Sequence, residues 1–138
     1  MNDNASAWLS CIEGLPEVHE RLKCVVIFND NAIKVIKQQD GPRTLFYLDP
    51  PYLHETRVTK DSYNFEMSID DHKELLDVIK TLKGKVILSG YPSDLYDSEL
   101  KGWSTEEFLI GNCVSSKKEK DIMIEKVWYN YENERTTA

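Results

Sequence analysis

Apolar and polar positions change period several times along the chain, and each change marks an element. Residues 13–23 are mostly polar, with Leu15, Val18 and Leu22 at helical spacing, so they predict a helix carrying one apolar stripe. Residues 25–28 form a short β-branched run and predict a strand. Asn29, Asp30 and Asn31 then supply side chains suited to capping a helix over residues 32–38, and Gly41 and Pro42 break the chain. Residues 44–48 are apolar and β-prone throughout instead of alternating, which is the pattern of a central strand covered on both faces. That strand stops at Asp49, because Pro50 and Pro51 lack ladder donors and each restricts the residue before it.

Residues 53–67 show no clear periodicity and predict a mobile, polar loop. The next helix has Ser68 as candidate cap, Asp70 and Asp71 at its positive start, and an apolar stripe of Leu75, Leu76, Ile79 and Leu82, with Gly84 ending it. A buried strand over residues 85–89 closes at Gly90, a short helix follows over residues 94–100, and residues 108–111 and 124–129 complete the sheet as an antiparallel pair. Lys117, Lys118, Glu119 and Lys120 form the turn between those two strands, and residues 132–138 fray. Strands alternating with helices predict an α/β fold with a mostly parallel sheet, and 138 residues suit a single domain spanning the whole chain.

Composition adds limits. Hydrophobic residues at 41% and charged residues at 30% are ordinary for a globular chain, and no apolar run reaches membrane-span length. Residues 1–9 lack a basic stretch followed by an apolar core, so a cytoplasmic protein is expected. Cys11, Cys24 and Cys113 are widely separated, without metal-ligand spacing, and are read as structural thiols with no metal site. A net charge of −7 opposes unspecific attraction to a nucleic-acid backbone, so any face for one must be local.

The chemistry concentrates in Phe46-Tyr47-Leu48-Asp49-Pro50-Pro51-Tyr52. Ligands of open parallel sheets bind beyond the carboxyl ends of the strands, and this segment puts a carboxylate, a stiff diproline and a ring there. Methylating an exocyclic amine of a base requires acceptors for both amino hydrogens, so that the nitrogen becomes more tetrahedral and more nucleophilic. Asp49 and the Pro50 carbonyl can be those acceptors, Pro51 helps to fix the carbonyl's direction, and Tyr52 offers a flat face to an extruded base. The plainer alternative is a strand end followed by a Pro-Pro turn, with Asp49 capping and Tyr52 packing.

This segment is similar to the catalytic motif of amino-methyltransferases, and its surroundings resemble the D12 class of adenine N6-specific DNA methyltransferases. The resemblance runs from about residue 8 to residue 130. Val18-His19-Glu20-Arg21-Leu22 with Val25-Val26-Ile27 resembles the helix and strand leading to the motif. Thr56-Arg57, Tyr63, Glu66-Met67 and Asp71-His72 resemble the loop and helix after it. Ser89-Gly90-Tyr91, Leu95-Tyr96 and Gly102-Trp103 match the next strand and its connection, and Val127-Trp128-Tyr129-Asn130 resembles the closing strand.

The resemblance implies S-adenosyl-L-methionine as cofactor and double-stranded DNA with a flipped adenine as substrate. It also implies part of a Rossmann-like methyltransferase sheet, mostly parallel with an antiparallel C-terminal strand. The Gly-rich Phe-x-Gly-Gly-type segment of such enzymes, its following acidic residue and the target-recognition region have no counterpart among these residues, since the six glycines are scattered. The chain is therefore expected to be a truncated catalytic half, weakly active or inactive alone. Its residue 44–48 edge would then be exposed, covered by a rearranged residue 25–28 strand or by a second copy of the chain.

By the same resemblance Asn29 and Asp30 lie near the cofactor's adenine, with helix capping as the alternative. Arg57 and Lys60 could meet phosphates near a flipped base, and Tyr63 could clamp the target; a solvated loop and simple packing are their alternatives. His72 reads as a surface or packing histidine, the lysine cluster as a solvated turn, and Trp8, Trp103 and Trp128 as packing residues. A non-catalytic remnant acting as an oligomeric or DNA-associating module is the competing function. Among enzymes, cytosine N4, RNA and protein methylation compete, and Asp49 tilts the choice toward adenine.

Overall fold

The computed structural model describes residues 3–53, 66–111 and 122–132. The chain divides into two compact units, Met1–Asp30 and Asn31–Ala138. In the first, α1 (Asp3–Leu22) starts well before the expected residue 13 and carries Pro16 inside it. An exposed Glu20–Lys23 ion pair at 2.6 Å spans its last turn. Residues 25–28 are not the expected strand. They carry no regular secondary structure and pair with no strand among the described residues, and Ile27 is 85% exposed. The β-branched side chains satisfy the local preference, but a strand exists only against a partner strand.

The second unit contains α2 (Ala32–Gln39), β1 (Leu45–Leu48), α3 (Ile69–Ile79), β2 (Lys85–Gly90), α4 (Asp94–Glu99), β3 (Ser104–Gly111) and β4 (Ile122–Tyr129). Side chains start all three helices: Asn31 accepts from Lys34 N, Ser68 from Asp71 N and Ser93 from Tyr96 N. At α3 the cap is reciprocal, because the Asp71 carboxylate accepts from Ser68 N at 2.8 Å. Helix α3 ends at Ile79, three residues before Leu82, which nevertheless packs against the core.

The sheet order is β1-β2-β4-β3. β1 pairs parallel with β2, while β4 pairs antiparallel with both β2 and β3, so three strands point one way and the C-terminal strand runs against them. The architecture is a mixed α/β sheet. Phe46 pairs with Val86, and Leu88 pairs with Trp128, so these core residues share one face; they pack with Ile36 of α2, Leu75, Leu76 and Ile79 of α3, and Tyr96 of α4. Two side chains lock the start of β2. The Asp40 carboxylate accepts from Lys83 N and Gly84 N, and Asn130 bonds Val86 N and Gly84 O. Gly84 permits this because a Cβ there would lie 2.9 Å from Thr44 O and 3.0 Å from the Phe46 ring.

The expectation for residues 44–48 needs correcting. β1 is an edge strand with one covered face, and Tyr47 on its other face is 64% exposed. Continuous apolarity announces a second covered face without saying whether this chain covers it. Nor does the residue 25–28 segment add a strand to that edge, since the sheet among the described residues has four strands and this is not one of them. β3 begins at Ser104, earlier than the expected residue 108, because polar residues on a half-open sheet pair as well as apolar ones. The lysine turn lies outside the described residues.

Candidate catalytic site

Asp49 leaves the end of β1 with an exposed side chain. The parallel register sets Leu48 against Leu88, so the next residue of β2, the fully buried Ser89, stands beside Asp49. The Ser89 hydroxyl donates to Asp49 Oδ1 at 3.2 Å and lies 3.3 Å from Leu48 O, so its one proton is shared between carboxylate and backbone. Strand end and carboxylate are thereby held by the same side chain.

Pro50 and Pro51 are half-buried and carry the chain to Tyr52. The Tyr52 hydroxyl donates to Glu125 Oε1 of β4 at 3.3 Å, and its ring lies 4.5 Å, centroid to centroid, from the ring of Tyr91, tilted by 60°. Burial pushes the Tyr52 phenol well above its ordinary pKa, and the negative charges of Asp49 and Glu125 push it further, so it stays a neutral donor. All these groups meet at the carboxyl ends of β1 and β2, where Gly90 pairs with Lys126 of β4.

A cavity of about 400 Å³ borders the start of the tetrapeptide. Asp49, Pro50 and Pro51 form one wall; Ile33, Met67 and Leu75 give it apolar surface, and Asp71 and Glu74 add carboxylates. Its size suits a small organic ligand. The Ser68 hydroxyl and backbone hold the Asp71 carboxyl below the usual range, so that group is an anion at neutral pH. A second hollow, of about 420 Å³, lies at the residue after the tetrapeptide, between Leu53, Ile69 and the turn at Pro92 and Ser93. Among the described residues no group of three His, Cys, Asp or Glu side chains is placed to hold a metal ion.

Residues 11–123 match the family model of the D12 class N6 adenine-specific DNA methyltransferases. The chain belongs to that family. Comparison with curated proteins gives no match.

In this chain Asp49, Pro50 and Pro51 come together on the first cavity, while Tyr52 turns to Glu125 and Tyr91. Asn29 and Asp30 belong to the first unit and are exposed; Asn31, which opens the second unit, both caps α2 and lines the cavity. Arg57, Lys60 and Tyr63 lie outside the described residues. His72 is a packing residue and not a surface one: it is fully buried, with Nδ1 2.8 Å from Tyr96 Oη. Trp128 is in the core and Trp103 packs against it. Sequence reasoning missed Ser89, Tyr91 and Glu125 as site residues. A parallel pairing of the two buried strands would have suggested Ser89, whereas nothing local marks Glu125.

Proposed function

We propose that this chain carries the catalytic segment of an S-adenosyl-L-methionine-dependent enzyme that methylates N6 of an adenine flipped out of double-stranded DNA. The observation that carries the reading is an accessible Asp49 carboxylate at the carboxyl end of β1, steadied by a buried hydroxyl and bordering a ligand-sized cavity. Three parallel-running strands with a reversed C-terminal strand support part of a Rossmann-like methyltransferase sheet.

The cavity's chemistry fits part of the cofactor. Asp49, Asp71 and Glu74 with apolar Ile33 and Met67 suit a cationic sulfonium and its carbon chains, and S-adenosyl-L-methionine supplies a methyl group on that sulfonium. No lysine or arginine lines the cavity among the described residues, so the cofactor's carboxylate needs a partner from elsewhere. Asn29 and Asp30, just before Asn31, are candidates for its adenine end.

Asp49 and the Pro50 carbonyl each accept one amino hydrogen of the target. S-adenosyl-L-methionine, when bound, would supply the methyl group for N6, and Asp49 would accept the proton that the nitrogen sheds. Tyr52 gives the base its stacking face, and Arg57, Lys60 and Tyr63 contact the DNA around it.

The test is methyl transfer from radiolabelled S-adenosyl-L-methionine to unmethylated DNA. Transfer by the wild-type chain that drops at least ~100-fold in Asp49→Ala supports the reading, since the variant removes an acceptor used in the transition state. Transfer unchanged in the variant refutes the assigned role. A wild-type chain that transfers nothing favours the second reading, a non-catalytic module, for which the β1 edge, unpaired among the described residues, is the relevant observation.

A further inference from the structure

The motif tyrosine is held from a place no local pattern marks. Tyr52 follows β1, yet its hydroxyl reaches past β2 to β4 and bonds a residue 73 positions away. The acceptor stands on a fixed post. Next to Glu125, the Lys126 ammonium is pinned on the opposite side of the strand by Asp97 at 2.8 Å and Glu107 at 3.8 Å, and lies 5.3 Å from the centroid of the Trp128 ring. Asp97 also accepts from Trp128 Nε1 at 2.9 Å, so α4 clamps this stretch of β4.

A phenyl ring on a chain exit can swing about two side-chain torsions. In Tyr52 the hydroxyl bond fixes the far end of the ring, and Tyr91 lies against the ring itself. We infer that Glu125 is a positioning residue: through the Tyr52 hydroxyl it sets the orientation of the ring offered to the target base. This rests on the proposed role of Tyr52 as a stacking platform and adds why that platform is a tyrosine and not a phenylalanine. At 3.3 Å the bond is longer than a typical hydroxyl–carboxylate contact.

The probe is a five-nucleotide single strand, 2-aminopurine flanked by thymidines, which needs neither cofactor nor base extrusion. Stacking on a tyrosine quenches its fluorescence. The full chain is titrated as wild type, Tyr52→Ala, Tyr52→Phe, Glu125→Ala, Glu125→Gln and the Tyr52→Phe/Glu125→Ala double variant, with thermal unfolding of each as a fold control. Wild type should quench, and Tyr52→Ala should lose ~10-fold or more in affinity. Tyr52→Phe and Glu125→Ala should each lose ~3–10-fold, the worth of one hydrogen bond, and the double variant no more than either alone. Glu125→Gln keeps an acceptor oxygen and should restore wild-type quenching, a recovery that a merely structural role for the charge would not give.

Quenching by wild type that Tyr52→Phe and Glu125→Ala share undiminished, or losses that simply add in the double variant, would overturn the positioning role and leave the stacking role standing. No quenching by a folded wild-type chain, or quenching untouched by Tyr52→Ala, would overturn the stacking role itself and the inference with it.

Discussion

On one face of the sheet Phe46, Val86, Leu88 and Trp128 disappear under three helices, while on the other Leu45, Tyr47 and Phe108 remain about half exposed or more. The residues alternate along the same strands, so propensity and strand length are shared and only the covering differs. The covered face carries the free energy of folding. Leu76 and Leu88 have no accessible surface, and each makes the many small contacts that close packing allows. The open face contributes little to stability, yet it keeps apolar side chains beside an unpaired strand edge, which is the combination that attracts another chain.

The sharpest way to break the contrast is a matched pair of truncations. Leu88→Ala should cost about 2–5 kcal/mol in urea unfolding, from lost transfer energy plus the cavity left behind, whereas Leu45→Ala, three residues before the end of the neighbouring strand, should change stability by less than about 0.5 kcal/mol. Equal costs would mean that the open face is covered after all. Next in size is association: we propose that a second copy pairs on the β1 edge, and Tyr47→Lys should then shift sedimentation from dimer to monomer with stability little changed. A wild-type chain that sediments as a monomer at high concentration would remove that proposal.

The smallest expected effect is in acid. Burial alone would raise the Asp97 carboxyl, but the hydrogen bonds from Lys126 and Trp128 and the lysine charge outweigh it and hold the group below its usual range. A carboxyl that is more acidic in the folded chain contributes stability that is complete above its unfolded value of about 3.9 and is lost as pH falls through the folded value. Asp97→Asn should therefore lower stability at neutral pH and flatten the acid limb of a stability-against-pH curve. An unaltered limb would show that the clamp on the covered side of β4 does not depend on charge.

The helix starts of the second unit and the end of β1 were legible in the sequence because short-range chemistry decides them, whereas the start of α1 was not. Ser68 with Asp71 forms its reciprocal cap, Asn31 caps α2, and the diproline halts β1 at Leu48. The antiparallel β3–β4 pair and the position of Asp49 to Tyr52 beyond a strand end were likewise readable. What failed depends on partners. Residues 25–28 have strand composition but pair with no strand among the described residues, and residues 44–48 look buried on both faces while only one is. The supporting shell of the site was hidden for the same reason, since Ser89 and Glu125 act across strands and only register reveals them.

The long reach between Tyr52 and Glu125 also orders events during synthesis. A ribosome delivers the N-terminal side first, so the tetrapeptide emerges 73 residues ahead of the carboxylate that holds its ring. Until β4 takes its place between β2 and β3, the tetrapeptide lacks that restraint. A chain cut before Glu125 would keep the tetrapeptide and lose the carboxylate that holds the Tyr52 ring.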